Sequence, residues 1–426
     1  MAEKKPNDGQ EKAEKEHVEL AAAVAEVEEK QKVDVATLSL AEKFTRIARE
    51  IAPFEHEEQG EGVVLAALTK NHIVLLGPPG TGKSMMSTEF CKRVGTSQFY
   101  KLLSRDLPPD ELLVREILYK KRENPDGSAS VKFEKDWTGM LPDCELAFLD
   151  EGFKANSTTL NKLLDIILDR KFAVNGEVHK AKTMSVIIAS NEVPEDECKA
   201  FYDRFLFRFI FHYLKEQGSV RNMFRMDENP RPVTTVTKFE LAAAQEAVND
   251  VEIPDAILDK MIELRHEIHN AGYIHSNRRW RQALHVVKAS AFMQDKDVAD
   301  EDCLDFLQHV FWHNPTPDEI RAVRALVLQA VNPLRQQIVQ FYEEAEDVLR
   351  SLQVEKDEDK VQKLAVEGNK KLKNIQKKMK GVIKQISDRN RPTARYEELS
   401  DKVTLMQSEI VSEYLGVDLS SLNMNI

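Results

Sequence analysis

Cysteine is scarce in this chain. There are four among 426 residues, Cys91, Cys144, Cys198 and Cys303. None forms a C-x-x-C pair and no His/Cys cluster has zinc spacing, which excludes a zinc-finger scaffold. A reducing cytoplasm suits such a chain. Long apolar runs are also missing, so no stretch reads as a membrane span. The first 36 residues are rich in Glu, Lys and Ala and lack the apolar core of a secretory signal. They read as a charged tail, disordered over 2–15 and at most a frayed helix over 18–32. Positive charge is in deficit: 60 Lys and Arg stand against 72 Asp and Glu, a formal net charge of −12. That argues against broad electrostatic affinity for nucleic acid. No internal repeat of the length that builds solenoids is present.

What is present begins with Gly77-Pro78-Pro79-Gly80-Thr81-Gly82-Lys83-Ser84, which fits G-x-x-x-x-G-K-[ST]. Ile73 to Leu76 is a short apolar run that reads as a buried strand, and the chain from Ser84 to Val94 reads as a helix. Strand, glycine-rich turn and helix in this order form a phosphate cradle. Backbone N–H groups wrap phosphate oxygens, and the helix N-terminus adds positive potential. Lys83 is expected to reach the β- and γ-phosphates, Ser84 to ligand Mg²⁺, and Met85 to close the nucleotide-contacting run.

Four strand candidates recur along the chain: Ile73–Leu76, 99–103, 146–149 and 185–189. Helical patterns separate them, which predicts a parallel sheet covered on both faces. Residues 38–68 read as two helices broken near Pro53. Lys171–Val174 and Glu177–Lys180 flank Asn175-Gly176, a hairpin with a type I′ turn. A second turn is read at 124–128. Pro230 and Pro232 mark a linker, and Pro315 and Pro317 another boundary. The expected domains are a tail (1–36), a nucleotide-binding core (37–226), a helical lid (227–314) and a C-terminal helical domain (315–426). In the last, three stripes step by three and four: Leu334, Ile338, Phe341, Ala345, Val348, Leu352; then Leu372, Ile375, Met379, Val382, Ile386; then Tyr396, Leu399, Val403, Met406, Ile410. They predict amphipathic helices able to pack as a small antiparallel bundle. Lys370, Lys371, Lys373, Lys377, Lys378, Lys380 and Lys384 read as the solvated face of one of them. The sharper alternative is a surface for nucleic acid or an acidic partner.

Four further motifs carry chemistry. Leu146-Ala147-Phe148-Leu149-Asp150-Glu151 is an apolar strand ending in two carboxylates. Asp150 is placed to hold Mg²⁺ and Glu151 to act as general base on the attacking water. Asn191, directly after the fourth strand, is placed to orient that water; an ordinary turn asparagine is the alternative. Phe201 to Phe209 reads as a buried aromatic helix with Arg204 and Arg208 four apart on one face. One of them is expected to be an arginine finger that reaches a neighbouring subunit's γ-phosphate. Ser276 is a plausible N-cap of a second-domain helix, whose Arg278 is expected to reach the bound nucleotide.

In this order the five motifs resemble the AAA+ ATPases, more closely the MoxR branch and most closely its RavA group. The likeness spans roughly 38–313. It sets Gly77–Ser84 beside Walker A, Leu141-Pro142-Asp143 through Ala155 beside the Walker B region, Ala189–Pro194 beside sensor 1, Tyr202-Asp203-Arg204-Phe205 beside the finger motif and Arg278-Arg279-Trp280 beside the sensor 2 helix. It favours Arg204 as finger, with Arg208 second. It implies an α/β P-loop NTPase αβα sandwich with an all-α lid, followed here by an α-helical bundle. It also implies ATP and Mg²⁺ as cofactors, a homo-oligomeric ring, a hexamer in this family, and chaperone-like work on a protein client, often beside von Willebrand factor A domain proteins. After Pro315 the chain departs from RavA, with no strand-rich insertion. Two other classes stay open: a nucleic-acid-dependent motor, and an ATP-binding switch with little turnover. No residue announces itself as the adenine reader; the segment 55–62 is the candidate.

Overall fold

A computed structural model describes residues 38–123, 129–174, 176–193, 199–225, 234–331, 333–354, 358–388 and 393–414. The tail, the turn read at 124–128, Asn175, Pro194, Cys198, Pro230 and Pro232 lie outside the described residues. The chain divides into two compact units, 1–258 with 271–320, and 259–270 with 321–426.

The first unit opens with α1 (Leu40–Ile51) and α2 (Glu57–Leu68), the pair expected around Pro53. Ser39 and Glu42 form a capping box that fixes the start of α1. Phe44, Ile47, Ala48 and Ile51 fall on one face and are buried there. The central sheet contains β1 (Ile73–Leu76), β2 (Gln98–Leu102), β5 (Leu146–Asp150), β8 (Ser185–Ser190) and β9 (Phe207–Ile210). Its order is β2-β5-β8-β1-β9 and every pairing is parallel. β1 and β8 are buried along their whole length, as their unbroken apolar runs require. Between the sheet strands come α3 (Lys83–Arg93) and α4 (Ser157–Asp169). Two antiparallel hairpins project, β3 (Glu116–Glu123) with β4 (Ala129–Asp136), and β6 (Lys171–Val174) with β7 (Glu177–Lys180). The second is the hairpin read from sequence, with Gly176 at φ +83°. The first replaces what was read as helical pattern between the second and third strands.

The segment 201–209 is the larger correction. Its aromatic run predicts one helix; instead a helical turn (Lys199–Tyr202) gives way to strand β9. Phe205, Phe207, Phe209 and Phe211 recur at every second residue, and all four are fully buried. A period of two is a strand signal, and it outweighs the four-residue spacing of two arginines.

After β9 come α5 (Gln217–Phe224), α6 (Lys238–Asp250), α7 (Asp255–Asn270) and α8 (Asn277–Met293), then a 3₁₀ segment (Glu301–His309). Ser276 caps α8 through Arg279 N–H, as read from sequence. The second unit holds most of α7, α10 (Pro333–Val354), α11 (Glu358–Ser387) and α12 (Ala394–Glu409), with α9 (Pro317–Val331) beginning at the unit boundary. The three stripes read from sequence meet in one core of Ile338, Ala345, Val348 and Leu352, Leu372, Ile375, Met379, Val382 and Ile386, and Tyr396, Val403 and Ile410.

Candidate functional site

The glycine-rich loop joins β1 to α3 at the carboxyl end of the sheet. β1 sits between β8 and β9, so chain connections diverge on either side of it and leave a crevice there. Gly77 has φ +147°, and a Cβ there would lie 2.4 Å from the carbonyl oxygen of Phe211. Only glycine lets the loop pass that close. Lys83 Nζ donates to the carbonyls of Gly77 (2.7 Å) and Pro78 (2.8 Å) and to Asn191 Oδ1 (3.0 Å). Thr81 Oγ1 also donates to the Pro78 carbonyl, at 2.9 Å. Burial pulls the Lys83 pKa down, while Asp150 and Glu151 act against that shift.

The carboxylate pair lies across from the loop, at the end of β5. Ser84 Oγ donates to Asp150 Oδ2 at 3.2 Å, so the two residues expected to hold the metal already face each other. Asn191 Nδ2 donates to Glu151 Oε1 at 2.6 Å. Asn191 thus bridges Lys83 and Glu151 with its two amide ends. The second Glu151 oxygen is buried without a hydrogen-bond partner, and Lys154 Nζ stands 3.5 Å from it. Glu151 occupies the left-handed region, at φ 53° and ψ 40°. For a residue with a side chain this costs about 1–3 kcal/mol, and such strain gathers at functional sites. Seven residues read from sequence as one site, from Gly77 and Gly82 through Lys83 and Ser84 to Asp150, Glu151 and Asn191, are therefore brought together.

The arginines are not there. β9 pairs with β1 from Phe207↔Ile73 to Ile210↔Leu76. Arg204 precedes β9, so it stands at the amino end of the sheet, at least about 10 Å of strand from the loop. It lines a cleft of about 390 Å³ with Lys70, Arg170, Asp203, Arg278 and Arg279. Arg278, expected to reach the bound nucleotide, is exposed beside Arg204 at this opposite end. Arg208 cannot be a finger. It is 0% exposed on β9, donates to the carbonyls of Trp312 and Tyr202, and lies 4.3 Å from the Tyr202 ring centroid. Burial lowers its pKa and likewise raises that of Tyr202 to about 12.

Sequence reasoning passed over several residues. Arg279, next to the one it chose, is the buried member of the pair, at 3% exposure. Burial first, then the charge of Arg208, push its pKa down to about 9, which leaves it charged at neutral pH. The loop between α1 and α2 flanks the phosphate cradle. A Cβ on Gly82 would meet Pro53 Cγ at 2.8 Å. His56 stacks on Phe211 at 4.6 Å, takes a hydrogen bond from His212 N–H and donates to the Phe54 carbonyl. Glu55, at φ 64°, accepts the N–H groups of Lys215 and Glu216. The signal for Pro53 is its place at the break between two helices; Glu55 and His56 lie within 55–62, the candidate adenine segment.

The chain has counterparts among known proteins. Residues 43–240 match a family model described as the MoxR domain in the MoxR-vWA-beta-propeller ternary systems, and 256–327 match an AAA lid domain. An uncharacterised protein of Methanocaldococcus jannaschii is 30% identical over 300 residues, covering 70% of this chain and 77% of the relative. The chaperone MoxR1 of Mycobacterium tuberculosis is 22% identical over 309 residues, covering 65% and 79%. A crystal structure of a candidate ATPase from Cytophaga hutchinsonii superposes with a TM-score of 0.54 at 19% identity, over 74% of this chain and 98% of that one, which speaks for the fold alone. With an all-parallel P-loop sheet, a lid and these matches, the chain belongs to the MoxR-type AAA+ ATPases.

Proposed function

We propose that this protein hydrolyses ATP at sites shared between neighbouring copies in a ring, and uses the cycle to remodel or help assemble a protein partner. The observation that carries this reading is the division of the predicted catalytic set. Lys83, Ser84, Asp150, Glu151 and Asn191 stand at one end of the sheet, and Arg204 and Arg278 at the other. No single copy can bring both to one phosphate. A second copy docked head to tail can, and such heterologous contacts close into rings. Lys70, Arg170, Arg204 and Arg278 line the cleft at the second end, with Asp203 beside them, a mainly basic lining that suits a neighbour's triphosphate. Each end also carries exposed apolar side chains, Met85, Tyr100, Leu102 and Val193 at the first, Leu168 and Ile274 at the second.

The residues suit a magnesium triphosphate. The Lys83 ammonium is held by loop carbonyls that a phosphate oxygen would displace, and Ser84 and Asp150 offer adjacent oxygens for the ion. Mg²⁺ would supply charge neutralisation on the phosphate oxygens. Glu151 takes the proton of the attacking water, Asn191 orients that water, and the neighbour's Arg204 meets charge developing on the γ-phosphate. The loop around Pro53–His56 is the wall for the adenine. A ring of six, and a von Willebrand factor A domain partner, are the assembly and the client this family membership favours. The motif likeness to the RavA group extends to the core and lid.

The test is Glu151→Gln. It should bind ATP and assemble while turnover drops about 100-fold or more. Normal turnover in that variant would remove the catalytic assignment. Material co-purifying with the same trap names the client.

One observation favours a nucleic-acid-dependent motor as second reading. Lys363, Lys370, Lys373, Lys377, Lys380 and Lys384 step by seven, three and four along α11, all exposed, and none has an ion-pair partner among the described residues. They form one stripe about 30 Å long. ATPase stimulation by DNA or RNA with steep salt dependence would support that reading; no stimulation removes it.

A further inference from the structure

Five acceptors converge on the guanidinium of Arg279. Nη1 donates to the carbonyls of Leu206 (3.2 Å) and Val310 (2.7 Å). Nη2 donates to the carbonyls of Asp203 (2.9 Å) and Phe205 (3.1 Å) and to Asp203 Oδ1 (3.4 Å). Four of these acceptors belong to residues 203–206, the turn from which Arg204 projects. Arg204 itself donates to Asp203 Oδ2 at 3.1 Å, so one carboxylate joins the two arginines. Arg208 holds the residue that leads into this turn, through the Tyr202 carbonyl and ring. Arg279 belongs to α8, far along the chain, and is too buried to touch a neighbouring subunit.

We infer that Arg279 is the positioning residue of the arginine finger. From α8 it sets where Arg204 stands, so a shift of α8 is delivered to the nucleotide site of the neighbouring copy. The turn is held by both terminal nitrogens of a planar fork, and a single ammonium cannot span the same acceptors. This inference rests on the shared-site reading above.

Arg279→Lys keeps the charge and loses the fork. Its kcat should fall about 100-fold, the effect of a misplacement of about 1 Å. KM and affinity for a fluorescent ATP analogue should stay within about twofold, because the phosphate cradle lies at the other end of the sheet. Co-expressed with Glu151→Gln, which is itself inactive, the variant should regain turnover. Its intact cradle then meets the intact finger of a Glu151→Gln neighbour. Arg204→Ala co-expressed with Glu151→Gln is the control. No regain in the control removes the shared-site reading itself. Regain in the control without regain for Arg279→Lys overturns the positioning role alone, as does an unchanged kcat. If Arg279→Lys does not fold, Asp203→Asn takes its place. It keeps the shape, loosens the hold on both arginines, and should show the same loss confined to kcat and the same regain; an unchanged kcat there overturns the inference.

Discussion

Asn191 stands between a cation and an anion, and its two ends are not interchangeable. Oδ1 accepts from Lys83 and Nδ2 donates to Glu151. Asn191→Asp replaces the donor with a carboxylate facing a carboxylate. We expect turnover to fall on the order of 100-fold with ATP binding retained, measured by single-turnover hydrolysis. His72 makes a second residue-level prediction. Its Nδ1 accepts from Val186 N–H at 3.0 Å, so Nε2–H must donate to the Ile167 carbonyl at 3.1 Å and the ring is neutral. Burial first, then the Arg170 charge, push its pKa down to about 3. The unfolded chain binds a proton near pH 6.5 and the folded one does not until about 3. This contribution to stability is present above pH 6.5 and is lost as pH falls towards 3. Thermal midpoints should decline across that window, and His72→Asn should flatten the decline. The cradle and the Asp-Glu pair were legible because each is a contiguous run at a fixed point of strand and loop. Which of Arg204, Arg208, Arg278 and Arg279 is exposed was not, because burial is set by what packs around a side chain.

Elements differ in how openly they announce themselves. The C-terminal stripes did so at every position, since an apolar face repeated over many turns has one way to be buried. β9 did not, because its alternating phenylalanines were read through the spacing of two arginines. α8 was placed by its Ser276 cap. Thr237 caps α6 and forms a capping box with Glu240. Thr237→Ala should lower stability by about 1 kcal/mol in denaturant unfolding. Gly368 of α11 packs against α10, and a Cβ there would lie 2.9 Å from Val348 Cγ1. Gly368→Val should destabilise the bundle by about 1–3 kcal/mol through overpacking, read as earlier proteolysis or a lower midpoint. A neutral result would mean the two helices separate without cost.

At the scale of the whole molecule, the shared-site proposal gives a lone copy half a site at each end of its sheet. Specific activity should therefore rise with protein concentration until rings are complete; a specific activity independent of concentration, with no oligomer by light scattering, contradicts the shared site. Arg204→Ala should reduce kcat about 1,000-fold, the scale of a lost arginine finger, and leave ATP affinity near normal. The sequence by itself determined that the chain builds a strand, glycine-rich loop and helix with a paired-carboxylate strand, carries C-terminal helices, and belongs with AAA+ proteins. Those features are local: a motif, a period, a cap. Only the tertiary structure decided that the arginines lie at the end of the sheet opposite the cradle, that Arg208 is a buried staple, and that Arg279 holds the turn bearing Arg204. The reason is parallel pairing. It puts all strand ends of one sense on one side, and no spacing along the chain states which side a residue between two strands will join.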